Sequence, residues 1–144
     1  MSISSERGFS LMEIMAALAI LAIVGTLVVT SVTGQMATAK VNATKTVISS
    51  VESALSAYRR DCNRYPSTEE GLAVLVEKPA NCPNWAIGGY FEKSKMPKDA
   101  WNFDLIYNSP PTVSQKGKFE VISLGADGVE GGEDEEADIN SNDL

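Results

Sequence analysis

The residues best suited to chemistry are the acids near the end of the chain. Eight carboxylates and no basic residue follow Leu124, and four glycines lie among them. Glycine permits tight turns, and carboxylate and carbonyl oxygens are the ligands that Ca²⁺ prefers, usually about six to eight at once. Their spacing does not match the loop of an EF-hand. Composition alone therefore leaves two hypotheses open, a calcium-binding loop and a solvated acidic tail kept disordered by charge repulsion.

A second carboxylate of interest is Glu13, which stands at the head of a long charge-free run. Residues 14–39 are 26 residues without a charge, and a bilayer-spanning helix needs about 20 predominantly apolar residues. A charge at the centre of such a helix costs about 2.5–3.5 kcal/mol, whereas the positive end of the helix dipole favours a carboxylate at the N-terminus. Once buried, Glu13 needs a partner of opposite charge.

Composition argues against catalysis and against nucleic acid as a partner. The chain has no histidine, which removes the commonest general base and a frequent metal ligand. Neither a nucleophile elbow nor a paired-carboxylate pocket is recognisable. Outside the terminal acids, 12 basic residues face 11 acidic ones, and no basic cluster indicates nucleic acid. We therefore expect no enzyme and no nucleic-acid binding.

Three interpretations of the N-terminus are possible. A cleaved secretory signal ending at Ala37-Thr38-Ala39 has the small-x-small pattern, but the apolar stretch 14–32 exceeds the usual length of about 7–15 residues. An uncleaved signal anchor fits the hydropathy. The third interpretation depends on the residues at the junction, Gly8-Phe9-Ser10-Leu11-Met12-Glu13.

This junction, between a short polar leader and a long apolar run, resembles the prepilin class of type IV pilins and pseudopilins. The resemblance implies that a prepilin peptidase cuts between Gly8 and Phe9 and that Phe9 is then N-methylated. It also implies that Glu13 pairs with the terminal amine of a neighbouring subunit during filament assembly. A charge buried in a filament core is tolerable when it is paired and hydrogen-bonded.

The elements that position these residues follow from periodicity. Apolar residues step by three and four along one helix face: Val41, Thr44, Ile48, Val51, Leu55 and Tyr58. One continuous helix is predicted from about Ser10 to about Arg60, apolar all round in its first half and amphipathic in its second. Ser67 and Glu70 have capping-box spacing, which predicts a short helix through residues 72–76.

Two apolar, β-branched segments, 103–107 and 118–123, are predicted as strands joined by a loop that contains two prolines. The predicted fold class is α+β, with a long N-terminal α-helix packed on a small antiparallel β-sheet head, as in type IV pilins.

The head also resembles a known family. Tyr65-Pro66 through Glu70-Gly71-Leu72, then Pro97-Lys98-Asp99, and the segment 123–139 are similar to the major pseudopilins of the type II secretion system. In that family the C-terminal loop binds one calcium ion. The resemblance implies side-chain ligands and backbone carbonyl ligands at these positions: Asp127, Asp134, Glu135 and Asp138, and Leu124, Val129 and Gly132. Asp138 is expected to be either a ligand or a structural anchor.

Two departures from the family concern the head. The family's Asp-Pro-Trp-Gly segment is Asp99-Ala100-Trp101-Asn102 here, so this turn must close without its usual proline and glycine. Cys62 and Cys82 are not a general family feature. In an exported domain we predict that they form a disulfide, worth about 3 kcal/mol in the chain-entropy model. Two buried free thiols are the alternative.

The expected organisation is a leader at 1–8, a transmembrane and filament-core helix at 9–39, and a periplasmic head at 40–144 that includes the calcium loop. The expected location is the bacterial inner membrane, crossed once, and then a periplasmic pseudopilus after assembly. Expected partners are further copies of the chain, minor pseudopilins, the inner-membrane assembly platform and the prepilin peptidase.

The leading functional hypothesis is a structural subunit that polymerises into a short periplasmic pseudopilus and thereby drives protein export by type II secretion. The alternative is a type IV pilin that forms surface fibres. Pilins more typically close the C-terminal region with a disulfide, whereas both cysteines here lie much earlier, which favours the pseudopilin.

Overall fold

The computed structural model describes residues 9–92, 95–114 and 116–144, with residues 26–33 described by their backbone only. The chain divides into two compact units between Ala37 and Thr38. Within the described ranges the elements are, in chain order, helix α1 (Leu11–Cys62), a 3₁₀ helix (Leu72–Leu75), strands β1 (Ile106–Asn108), β2 (Glu120–Ser123) and β3 (Ile139–Asn140), and a second 3₁₀ helix (Ser141–Asp143).

Helix α1 begins at Leu11, where the backbone N–H groups of Glu13 and Ile14 donate to the carbonyl of Ser10. The predicted helix from about Ser10 to about Arg60 is thus confirmed. In the second unit five of the six expected positions of its apolar stripe are fully buried, and Val41 is only partly buried; the five are Thr44, Ile48, Val51, Leu55 and Tyr58. Among the residues that the structure describes, no helix has a stretch both long and apolar enough to cross a membrane.

The connection after α1 is held by a capping box and an ion pair. The N–H of Ser67 donates to the Glu70 carboxylate at 2.9 Å, and the N–H of Glu70 donates to the Ser67 hydroxyl at 3.3 Å. Arg64 donates to both oxygens of that carboxylate at 2.6 Å, and these bonds lower the pKa of Glu70 to about 2. The helix predicted to follow is only a short 3₁₀ turn, because Gly71 has a φ of 60° and interrupts the helical backbone.

The three strands form an antiparallel sheet in the order β1-β2-β3. Buried residues of the sheet, of α1 and of the first 3₁₀ helix share one core, to which the sheet contributes Tyr107, Val121 and Ile139. The predicted α+β class, a long helix with a small antiparallel sheet, is confirmed. The sequence placed β1 a few residues early and missed β3, since two residues are too few to show alternation.

The turn at residues 99–102 closes without proline or glycine. Asp99 is buried, and its carboxylate accepts hydrogen bonds from the N–H groups of Trp101 and Phe103 at 3.0 and 2.8 Å. Asn102 takes the left-handed conformation, with a φ of 71°, that glycine would otherwise supply. The N–H of Ala100 donates to the buried hydroxyl oxygen of Thr44 at 3.1 Å, a bond that proline could not make. Alanine here links the turn to α1.

The two cysteines form the predicted disulfide. Cys62 is the last residue of α1, and the Cα atoms of Cys62 and Cys82 are 5.1 Å apart. The bond attaches the end of the helix to the loop that follows the first 3₁₀ helix. Trp85 in the same loop donates its indole N–H to the carbonyl of Val74 at 2.7 Å. The disulfide and this hydrogen bond together hold the loop against the head.

Candidate functional site

The acidic residues lie in one loop between paired strands. We call residues 124–138 the tail loop. It leaves β2 after Ser123 and enters β3 at Ile139, and these two residues are paired in the sheet. Further in, the N–H of Ala126 donates to the carbonyl of Glu135 at 2.9 Å. The sheet register therefore closes the loop at its base, and the backbone bond closes it again one step further in.

Glycine is required where the two sides of the tail loop meet. Gly125 and Gly132 both have positive φ, 66° and 85°. A Cβ atom at Gly125 would lie 2.6 Å from the carbonyl oxygen of Glu136, and one at Gly132 would overlap the same oxygen. A side chain at Gly125 would force the two sides of the loop apart, and one at Gly132 would clash with Glu136 in the turn that follows it. The glycines that suggested tight turning in the sequence thus allow a close backbone approach.

Two of the predicted ligands, Asp127 and Asp134, lie next to the Ala126–Glu135 backbone bond in the sequence. One oxygen of Asp127 accepts from the N–H of Val129 at 3.0 Å, an Asx turn that fixes the carboxylate. In the described part of the chain, none of the three predicted carbonyl ligands accepts a backbone hydrogen bond: Leu124, Val129 and Gly132.

Asp138 is engaged differently. Its carboxylate accepts from the N–H of Gly131 at 3.0 Å, and its own N–H donates to the carbonyl of Gly131 at 3.2 Å. This double contact supports the structural-anchor alternative. Asp134 and Asp138 also line one groove with Lys45 of α1, which places a positive charge near the acids.

The predicted ligands of the tail loop can hold a hard cation only if backbone carbonyls supply most of the oxygen atoms. Among residues 9–92, 95–114 and 116–144 there is no group of three acidic, cysteine or histidine side chains that could share a metal ion. Two carboxylates, Asp127 and Asp134, with backbone carbonyls as the remaining ligands match the oxygen chemistry of Ca²⁺. The residues present therefore fit calcium if the backbone supplies most of the coordination.

A buried carboxylate that sequence reasoning missed, Glu120, links the three strands of the sheet. Glu120, on β2, is fully buried and accepts hydrogen bonds from β1, from the β1–β2 loop and from β3. Its donors, at 2.7–3.3 Å, are the N–H groups of Thr112, Val113 and Ser114, the Thr112 hydroxyl, and the amides of Asn108 and Asn140. Burial raises the pKa of Glu120, but these bonds outweigh it and hold the pKa well below its usual range.

A signal for this residue existed in the sequence. An acid stands at the head of the apolar segment Val121-Ile122, where a strand buried on both faces would carry none. The second carboxylate oxygen of Asp99 accepts a hydrogen bond from the hydroxyl of Ser123 at 2.7 Å. Ser123 is the last residue before the tail loop, so the turn at 99–102 also fixes where the loop starts.

The second predicted site lies at the start of α1. Phe9, Glu13, Ile14, Ala17 and Leu18 line a shallow groove along one side of the helix. Glu13 lies in the first turn, where the helix dipole favours a carboxylate. The predicted cleavage site is only half described, because Gly8 lies outside the described residues. Phe9 and Glu13 therefore share one face, apolar except for a single carboxylate.

Two family models match the chain along almost its whole length. The first, described as a prokaryotic N-terminal methylation motif, matches residues 3–29. The second, described as protein G of the type II secretion system, matches residues 31–142. The chain belongs to the type II secretion system protein G family. The resemblance noted in the sequence is thereby confirmed.

Curated relatives and a solved structure agree. The type II secretion system core protein G of Pseudomonas aeruginosa is 44% identical over 137 residues, covering 93% of each chain. Its counterpart in Vibrio cholerae is 41% identical over 136 residues, covering 93% of this chain and 90% of the relative. The crystal structure of the major pseudopilin of enterohaemorrhagic Escherichia coli matches with a TM-score of 0.63 and 34% identity, over 78% of this chain and 94% of that one. This member of the protein G family therefore has the fold of a major pseudopilin.

Proposed function

We propose that this chain is the major subunit of a type II secretion pseudopilus, a homopolymer whose growth drives protein export. The observation that carries the proposal is the exposed apolar surface of the first unit. Phe9 is 79% exposed, and Leu11 and Met12 are each 77% exposed. A surface of this kind must be covered by lipid or by other helices. The type IV pilin alternative is less favoured, because the family match is to protein G and the disulfide is far from the C-terminus.

Assembly follows from the chemistry of the first residues. A prepilin peptidase cuts between Gly8 and Phe9, and Phe9 is methylated on its new amine. Before assembly, residues 9–39 hold the chain in the inner membrane as a single span, with the head, residues 40–144, in the periplasm. In the filament, Glu13 pairs with the terminal amine of a neighbouring copy. The chain has a structural role, and we assign it no catalytic one.

The remaining partners follow from this route. The leader, residues 1–8, is read by the prepilin peptidase, and the processed chain is taken up by the inner-membrane assembly platform. Minor pseudopilins join the same filament. The membrane is a partner only before assembly.

Glu13→Gln tests the proposed role because it removes the charge and keeps the size of the side chain. We expect the variant, made with the secretion machinery, to be processed at Gly8 but to give at least tenfold fewer sedimentable filaments and little secretion. Glu77→Gln, an exposed acid of the head, is the matched control and should behave as the wild type. Normal filaments and secretion from Glu13→Gln would overturn the charge-pairing role.

We also propose that the tail loop binds one calcium ion, held by Asp127 and Asp134 with the carbonyls of Leu124, Val129 and Gly132. Glu135 is a further side-chain candidate. The ion offsets the repulsion among the acids, so binding and loop order are coupled. Binding at a hundred times the dissociation constant stabilises a protein by about 2.7 kcal/mol.

Chelation of a fragment comprising residues 38–144 tests the calcium site. We expect a chelator to lower the melting temperature of the wild-type fragment and added Ca²⁺ to restore it, whereas the double variant Asp127→Asn, Asp134→Asn responds to neither. Glu77→Gln again serves as the control. If chelation leaves the melting temperature of the wild-type fragment unchanged, the calcium site is refuted and the alternative of a solvated acidic tail is supported.

A further inference from the structure

Two arginines at the end of α1 form no salt bridge with the described residues. Arg59 and Arg60 occupy the last turn of the helix and are exposed. In the part of the chain that the structure describes, no carboxylate lies within salt-bridge distance of either. The adjacent acid, Asp61, instead accepts a hydrogen bond from the hydroxyl of Tyr90 at 2.9 Å. Neither guanidinium charge is therefore neutralised by a described carboxylate.

These arginines line one open pocket, which we call the arginine pocket. Its five lining residues are Ser56, Arg59, Arg60, Asn63 and Tyr65. The guanidinium carbon of Arg59 lies 5.3 Å from the centre of the Tyr65 ring, and this cation–π contact holds the planar group in place. Two guanidinium groups, two hydroxyls and an amide make the pocket rich in donors. Guanidinium groups bind carboxylates through paired hydrogen bonds, so its chemistry suits a pair of acids.

Such a pair of acids lies on a different surface of the same head. Glu133 and Glu136 form one tight turn of the tail loop, in which the N–H of Glu136 donates to the carbonyl of Glu133 at 3.0 Å. Both residues are exposed, and neither has a basic partner among the described residues. They also lie outside the ligand set proposed for calcium. The charges of the arginine pocket and of this turn are complementary, and within one chain they do not meet.

We propose that the arginine pocket of one copy binds the Glu133–Glu136 turn of a second copy. The contact joins two different patches, so repeating it either closes a ring or continues as a helical filament. The inference rests on the proposed function, because it assigns a contact inside the homopolymer. A different role would also explain the arginines, since positive charge stabilises a helix C-terminus by its interaction with the dipole.

Exchange of the charges separates these two roles. Full chains made with the secretion machinery would carry Arg59→Glu with Arg60→Glu, or Glu133→Arg with Glu136→Arg, or all four changes. We expect each double variant to give at least fivefold fewer sedimentable filaments and the fourfold variant to recover to within twofold of the wild type. A role limited to the helix dipole predicts no recovery, and that result overturns the contact.

A matched control tests whether recovery is specific. Arg59→Glu and Arg60→Glu combined with Glu69→Arg and Glu77→Arg restores the same net charge at exposed acids elsewhere on the head. This combination should stay defective, and its recovery would overturn the proposal. If Glu13→Gln still abolishes filaments while the charge variants assemble normally, the contact fails and the proposed function stands. Filaments that form equally well from Glu13→Gln overturn only the charge-pairing role of Glu13, whereas a wild-type chain that gives no sedimentable filaments contradicts the proposed function.

Chemical coupling offers a readout that does not depend on the stability of the charge variants. Arg60→Lys keeps the charge and supplies an amine that a carbodiimide can join to a touching carboxylate. Filaments assembled from mixed light and ¹⁵N-labelled chains should give isotope-mixed peptides that join position 60 to Glu133 or Glu136. Coupling within single copies only, or to acids outside the tail loop, would overturn the assignment.

Discussion

Replacement of Glu120 by glutamine should strongly destabilise the head. The glutamine amide would displace one acceptor oxygen of a fully buried carboxylate. Fewer hydrogen bonds are lost if the amide nitrogen takes the place of Oε2. That oxygen accepts from the N–H of Ser114 and the amide of Asn140, at 3.0 and 3.1 Å. Asn140 cannot simply reverse its amide, because its own oxygen accepts from Asn142. Two donors, the buried amide of Asn140 and the partly buried N–H of Ser114, then lack an acceptor, at about 1–3 kcal/mol each, so we expect a loss of about 3 kcal/mol.

Thermal unfolding of the 38–144 fragment measures this loss. For a domain of about 100 residues, each kcal/mol shifts the melting temperature by about 4–8 °C, so Glu120→Gln should melt about 12–24 °C lower. The fragment contains the whole core cluster of the second unit, which supports its use alone. Glu77→Gln, which removes an exposed carboxylate, should shift the melting temperature by no more than about 2 °C.

The pH dependence gives an independent check. The folded-state pKa of Glu120 is lowered, so its ionised form stabilises the head at pH values above the unfolded pKa of about 4.5. This stabilisation is lost as the pH falls below that value. The difference between wild type and Glu120→Gln should therefore narrow between pH 5 and pH 3, to roughly half or less. Two results would refute this account of the buried carboxylate. One is a free energy of unfolding for the variant within about 0.5 kcal/mol of the wild type at pH 7, which is less than the roughly 1 kcal/mol of a single hydrogen bond. The other is a difference in stability that does not change with pH.

Three further changes test other parts of the head by thermal unfolding of the same fragment. Asn102→Gly should stabilise it by about 1 kcal/mol, because glycine adopts the left-handed backbone at φ 71° without strain, and a lower melting temperature would contradict this. Tyr58→Phe should leave stability unchanged or raise it by about 1 kcal/mol, since the buried Tyr58 hydroxyl lacks a hydrogen-bond partner among the described residues; a loss above 1 kcal/mol would indicate a bound water. Replacement of Cys62 and Cys82 by serine should cost about 3 kcal/mol, and an equal melting temperature with and without reductant would show that the bond contributes nothing.

The long helix and the capping box could be predicted because each is encoded by neighbours in sequence. The stripe from Thr44 to Tyr58 has helical spacing whatever it packs against. The turn at 99–102 could not be derived in this way, since its closure uses a hydroxyl 56 residues away, on Thr44. Glu120 was missed for the same reason, because its donors come from two segments that only the folded sheet brings together.

The acidic loop lies between these cases. Its composition indicated oxygen ligands, and its glycines indicated tight turns, but both remained compatible with disorder. What decides its shape is the pairing of Ser123 with Ile139, which depends on a strand of two residues. Asp138 shows most clearly what the sequence could not predict. A carboxylate that accepts from a backbone N–H and a carboxylate that binds a cation have the same appearance in a sequence.

The disulfide also has a mechanical consequence. A filament that pushes cargo is loaded along its length, and a helix end that is held only by hydrogen bonds gives way one bond at a time under load. In this chain the last residue of α1, Cys62, is bonded covalently to Cys82, so the end of the helix stays attached to the head even where its hydrogen bonds yield. The disulfide therefore keeps the C-terminal end of α1 attached to the head when the filament is under load.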